Sequence, residues 1–120
     1  MAKNSREIGK KAEREAAKLL NEILGTDFRR SQQYKGAADS SDLIDDGTPE
    51  LSPEIKRRSD YSIKLHRAVA QARTEAADDS TAFVVHKLPR EPWLLTVDLR
   101  DLSELVEKMS RKLAKKGGDR

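Results

Sequence analysis

The stretch Asp42-Leu-Ile-Asp-Asp-Gly-Thr-Pro-Glu-Leu-Ser-Pro-Glu-Ile-Lys-Arg-Arg58 decides the reading of this chain. Asp42 to Ile44 reads as a short strand, Asp46-Gly47 with Pro49 as a turn, and Leu51 to Lys56 as the returning partner of a hairpin. Side chains alternate along a strand, so Glu54 and Lys56 point to one face while Ile55 points into the opposite layer. A hairpin would bring Asp42 beside them. Two carboxylates converging there can share a Mg²⁺, with water and a phosphate oxygen completing its shell. The Lys56 ammonium would orient or deprotonate the attacking water, or stabilise charge building on phosphorus. In a chain that is 38% charged, an Asp followed by Glu-x-Lys also arises by accident, and the plain alternative is an exposed strand with a surface ion pair.

Upstream, residues from about Ser5 to Leu24 read as a helix, with Asn4 or Ser5 as its cap and Gly25 as its stop. On a helical wheel Ile8, Ala12, Ala16, Ala17, Leu19, Leu20, Ile23 and Leu24 fill a half-circle. Glu13 falls inside that apolar arc, where a carboxylate is costly unless something pairs with it. A helix packed on the sheet would deliver it as a third carboxylate to the metal. Arg6 points the same way but lies in the first turn, within reach of water.

The remaining elements follow from periodicity and turn residues. Thr26 to Ser31 reads as a strand and Gln32 to Ala38 as a loop. Ser59 or Asp60 is expected to cap a second helix reaching Ala77, with Leu65, Ala68, Val69, Ala72 and Ala76 inward. Thr81 to His86 and Trp93 to Leu99 read as apolar strands joined by the turn Leu-Pro-Arg-Glu-Pro. A last amphipathic helix is expected from Leu102 to Leu113, with residues 114–120 as a frayed tail. The order α-β-β-β-α-β-β-α predicts an α/β fold in which helices flank a central mixed sheet of about five strands.

Composition narrows the chemistry. The chain has 120 residues, 36% hydrophobic, enough for a single domain with a modest core. With no cysteine, thiolate metal sites and cysteine nucleophiles are excluded, and hard cations on oxygen ligands are favoured. No apolar run approaches a membrane span, and the start Met-Ala-Lys-Asn-Ser-Arg lacks the hydrophobic stretch of a signal peptide, so a cytoplasmic protein is expected. The net charge of +3 proves no partner, but its distribution is uneven. Gly36 to Ile55 holds six acidic residues and no lysine or arginine, while Arg29, Arg30 and Lys35 precede it and Lys56, Arg57 and Arg58 follow. An acidic pocket in a basic frame suits a metal beside a phosphate backbone; an acidic loop between two basic strand ends is the other reading.

Taken in order and spacing, GKKAEREAAKLL, RRS, SSDLID and PEIKRR resemble the PD-(D/E)xK, restriction-endonuclease-like nucleases, in particular the Holliday-junction resolvases of phages and archaea. Family members begin with a G-x-x-x-E-R-E helix and follow it with an arginine-serine pair. The resemblance runs from Gly9 to Leu99 and includes HKLPREPWLLTV, which phage relatives also carry. It implies that Glu13, Asp42 and Glu54 are the acidic metal-site residues, with Mg²⁺ as cofactor and Mn²⁺ as substitute, and that Lys56 is the catalytic lysine. It implies DNA contacts by Arg30 and Ser31, to which Lys35, Arg57 and Arg58 add the basic frame, and it matches Gln71 to a glutamine seen on the second helix of relatives. Gln71 also reads as an ordinary solvated residue. The activity implied is hydrolysis of DNA to a 5′-phosphate and a 3′-hydroxyl, on four-way junctions or other branched DNA, by a homodimer. Two other functions stay open: a nuclease for linear, nicked or single-stranded DNA, and a non-catalytic DNA-binding module.

The chain departs from the family pattern at Pro53, directly before Glu54, where relatives carry an apolar residue. Proline cannot donate to a ladder, so a bulge or one-sided pairing is expected. Asp39, Asp45 and Asp46 crowd Asp42 as rival ligands; Asp42 ranks first because Leu43 and Ile44 follow it. His66 and His86 sit apart and do not read as a zinc pair. Trp93 reads as a strand-end core anchor, and the basic run Lys108 to Lys116 as the solvated face of a helix.

Overall fold

The computed structural model describes residues 5–30, 43–45, 50–57 and 64–118. Among these residues, three helices and five strands follow the expected order: α1 (Ser5–Leu24), β1 (Phe28–Arg30), β2 (Leu43–Asp45), β3 (Leu51–Arg57), α2 (Leu65–Glu75), β4 (Thr81–Lys87), β5 (Leu94–Thr96) and α3 (Leu102–Gly118), with a 3₁₀ turn at Leu99–Asp101.

α1 stops where the sequence places its stop. Gly25 takes a left-handed φ of 72° and its N–H donates to the Asn21 carbonyl at 2.9 Å, a conformation that costs glycine nothing. The Asn21 side chain then reverses the chain into β1. Its Oδ1 accepts from the Phe28 N–H at 2.7 Å and from the Thr26 hydroxyl at 2.8 Å, and its Nδ2 donates to the Phe28 carbonyl at 3.0 Å. Those bonds leave Thr26 outside the ladder, so the strand begins at Phe28 rather than Thr26.

The expected single sheet of about five strands is two sheets among the described residues: β1 with β2, and β3-β4-β5. The hairpin expected of residues 42–44 with 51–56 is not formed among the described residues. β2 pairs antiparallel with β1, Arg30 opposite Leu43, and lies against β3 without a ladder to it. β3 instead pairs in parallel with β4, from Leu51 opposite Thr81 to Arg57 opposite Lys87, with α2 as the crossover that a parallel pair requires. Pro53 explains part of this choice. The Glu50 carbonyl accepts from the Thr81 N–H at 2.8 Å, which directs the backbone groups of Ser52, Glu54 and Lys56 toward β4 and those of Pro53 away from it. The proline nitrogen therefore costs no bond to β4, and the pairing is one-sided, as its position requires.

The three-stranded sheet is covered on both faces. Ala12, Ala16, Ala17, Leu20 and Leu24 of α1 and Leu105 of α3 pack with Leu51, Ile55, Phe83 and Val85 on one face. Ala68, Val69 and Ala72 of α2 pack on Ala82 and Val84 of the other. Small residues on α2 let it approach the strands closely, as the sequence suggested, although Leu65 is exposed. Ile23, expected inside, is 55% exposed.

Other boundaries also differ from the sequence reading. α2 begins at Leu65, because Lys64 is extended (φ −96°, ψ 91°) and a helix cannot run back through it to Ser59 or Asp60, which lie outside the described residues. The strand expected to reach Leu99 ends at Thr96, since the Asp98 carboxylate accepts the Arg100 N–H at 2.9 Å and caps the 3₁₀ turn instead. α3 runs to Gly118 rather than fraying after Leu113, in keeping with the helix-forming Ala114, Lys115 and Lys116. Trp93 does anchor the strand end: it packs on the main core, with the Lys87 Nζ 5.6 Å from its ring centre.

Candidate active site

Glu54 occupies the middle of β3 and is only 5% exposed. Its ladder partner is Val84, which belongs to the cluster beneath α2, so Glu54, like Ser52 and Lys56, faces the α2 side of the sheet while Ile55 joins the α1 side. Burying a carboxylate among apolar groups costs several kcal/mol unless charge or hydrogen bonds offset it. The Lys56 Nζ stands 3.9 Å from Glu54 Oε1, with one fifth of the Lys56 side chain exposed. Strand alternation thus places an ammonium and a carboxylate side by side, as the sequence indicated, but buried rather than on an exposed strand.

Glu13 is held elsewhere by a different cation. Its side chain is 17% exposed, and Oε1 accepts from Arg30 Nε at 3.1 Å. The paired cation that this position demanded is therefore the first arginine-serine residue of β1. Arg30 stands across the ladder from Leu43, the residue next to Asp42 in the chain. Asp42, Ser31, Lys35 and Arg58 lie outside the described residues, as do the rival Asp39 and Asp46. Among the described residues, no three His, Cys, Asp or Glu side chains gather in a metal-holding group.

The donors present still have the chemistry of a hard-cation site. The chain has no cysteine. His66 lies on the exposed side of α2, and His86 Nε2 is engaged with the Thr96 hydroxyl at 2.8 Å, so carboxylate oxygen is the ligand type on offer.

The basic residues divide between two surfaces. Arg57, on the α1 side of β3, lines a small cavity of about 170 Å³ with Ile8, Lys11, Ala12, Glu15 and Lys87. Arg30 lines a broad open groove of about 710 Å³ between α1 and β1, together with Arg14, Lys18 and Arg29. Of these cations, Arg14 and Lys18 lie one helical turn apart on the exposed side of α1. Sequence reading passed over both; the signal was their i, i+4 spacing opposite the apolar arc. Gln71 is exposed and donates to Glu75 Oε1 at 3.1 Å within its own helix.

Lys108 also departs from expectation. Read as part of a solvated basic face, it is 7% exposed. Its Nζ donates to the Asp79 carbonyl at 2.8 Å, to Thr81 Oγ1 at 2.9 Å and to Glu104 Oε1 at 2.9 Å. It ties α3 to the start of β4, and its role is structural.

No family model matches the chain, and no curated protein matches it. Among solved structures, one match comes from an archaeon. The chain is similar to a Holliday junction resolvase. The structure is that of Hjc from the hyperthermophile Archaeoglobus fulgidus, 22% identical, with 72% of this chain and 74% of that chain covered and a TM-score of 0.49. No helix among the described residues is long and apolar enough to cross a membrane.

Proposed function

We propose that this chain is a divalent-metal-dependent DNA endonuclease that hydrolyses phosphodiester bonds, with four-way junctions or other branched DNA as its substrate. The observation that carries the reading is the buried Glu54 carboxylate with the Lys56 ammonium 3.9 Å away on the same face of one strand. The order of elements supports it: Glu13 is bonded to Arg30, Arg30 lies opposite the residue that follows Asp42, and β2 lies against the strand bearing Glu54.

In this reading Glu54 and Asp42, with Glu13, would hold the cation. When bound, Mg²⁺ or Mn²⁺ supplies Lewis acidity at the phosphate and lowers the pKa of water. The chain's own residues do the rest. Lys56 orients the attacking water or offsets negative charge that grows on the phosphoryl oxygens, in a site where burial strengthens both effects. Arg14, Lys18, Arg29 and Arg30 neutralise the DNA backbone along the groove and fix its register, without reading bases. Two symmetric cuts in a four-way junction call for a two-fold homodimer.

The test compares matched junction and linear duplexes. Glu54→Ala and Lys56→Ala are each expected to abolish Mg²⁺-dependent cutting while binding, measured in Ca²⁺, persists. Unchanged cutting by either variant would refute the site. A wild-type chain that binds DNA but cuts none would make it a binding module, and equal cutting of linear and branched DNA would remove the junction preference.

A further inference from the structure

The face of the sheet under α2 is apolar where α2 covers it, at Ala82 and Val84. Farther along the strands it turns polar. His86 is the ladder partner of Lys56, so the two side chains leave the same face of strands that run about 4.8 Å apart. On the other side of β4, Thr96 pairs with Val84 and Leu94 with His86, which sets Thr96 diagonally across from His86 on that same face. The His86 Nε2 and Thr96 Oγ1 meet at 2.8 Å. Thr96, His86, Lys56 and Glu54 thus form one polar row running from β5 across β4 to β3. His86 is 6% exposed, and a buried imidazole needs a polar partner, which Thr96 supplies.

We propose that His86 is a positioning residue for Lys56: the ring, fixed by Thr96, walls the lysine on the β4 side and keeps its ammonium directed toward Glu54. This rests on the nuclease reading above. A lysine stem has four rotatable bonds and loses substantial freedom when ordered. A rigid neighbour of fixed height restricts the stem to the side where Glu54 lies. Burial also pushes the His86 pKa below its ordinary value, so the ring stays uncharged beside the ammonium and does not repel it.

The experiment measures single-turnover cleavage of a junction in Mg²⁺, DNA affinity in Ca²⁺ and thermal unfolding for His86→Leu, His86→Gln and Thr96→Val. His86→Leu is expected to slow cleavage about 10- to 100-fold, the range for groups that orient a catalytic residue, while affinity changes less than about twofold. His86→Gln, whose amide can still reach Thr96, should recover most of the rate, and Thr96→Val should lose part of it. A folded His86→Leu that cuts at the wild-type rate overturns the proposal, as does a Gln variant no better than Leu. If His86→Leu does not fold, Thr96→Val decides, and an unchanged rate there overturns it. A wild-type chain that cuts neither branched nor linear DNA fails the nuclease reading itself and takes this inference with it.

Discussion

Arg30 of β1 donates from Nε to Oε1 of Glu13 on α1 across 3.1 Å, joining two residues seventeen positions apart. The bond stations a carboxylate at the end of the β1–β2 ladder and gives one cation two tasks, holding Glu13 and facing the groove. Glu13→Gln is expected to reduce Mg²⁺-dependent cutting at least about 100-fold with unfolding temperature nearly unchanged. Arg30→Ala should lower both rate and affinity, and the double variant should cost less than the two losses combined, because the residues share one interaction. Single-turnover rates check this; full activity in Glu13→Gln removes Glu13 from the site.

Lys108 is the strongest structural prediction. Removing its buried ammonium takes a donor from the Asp79 carbonyl and from the Thr81 hydroxyl oxygen that it serves. Lys108→Ala is expected to cost about 2–4 kcal/mol in urea denaturation, with DNA cleavage per folded molecule unchanged. Lys108→Met, which restores the stem but not the charge, should fall between the two.

Acid should weaken the fold in two stages. Burial holds His86 below its ordinary value, so the unfolded chain binds that proton more readily, and stability declines as pH drops below about 6.5. The Glu104 carboxyl is held low by its hydrogen bond from Lys108 and then by that from Thr81. Asp98 is held far below the usual carboxylate range, first by its hydrogen bond from the Arg100 side chain. Both contributions are intact above the unfolded carboxylate values near 4 and are shed as pH falls through the lower folded ones. Thermal unfolding from pH 8 to 2 should show both stages. His86→Gln should erase the upper one and Glu104→Gln should shrink the lower; a curve that stays flat to pH 4 in the wild type contradicts the His86 part.

Salt should report on the groove. Arg14→Ala and Lys18→Ala are each expected to reduce the slope of log affinity against log salt by about 1, whatever the DNA sequence. Arg111→Ala on α3, which breaks a 3.3 Å ion pair with Glu50 before β3, should leave that slope alone. Slopes unchanged in all three variants would move the DNA to another surface.

Much of this architecture is legible in the amino-acid order. Gly25 ends α1, Glu13 demands a partner, and Glu54 and Lys56 share a face, because each follows from local chemistry: a backbone region open to glycine, the cost of burying charge, the two-residue period of a strand. Strand partners are not local. Asp46-Gly47 and Pro49 suggest a hairpin, yet β2 takes β1 and β3 takes β4, since pairing is settled by the cores on either side and by where Pro53 can put its missing donor. The burial of Lys108 is hidden in the sequence for a similar reason. The lysine sits on a helix with the charged, exposed Glu104, Glu107 and Arg111, and only the approach of Asp79 and Thr81, from outside that helix, makes it a buried group.

Every partner across β3 and β4 lies thirty positions along the chain, so the strand bearing Glu54 and Lys56 has no ladder to β4 until Thr81 to Lys87 have been made and the crossover through α2 has closed. A product of interrupted synthesis that ends before Thr81 carries the acidic and basic side chains but lacks the floor that sets their spacing. On the nuclease reading proposed above, such an unfinished copy is expected to leave DNA uncut.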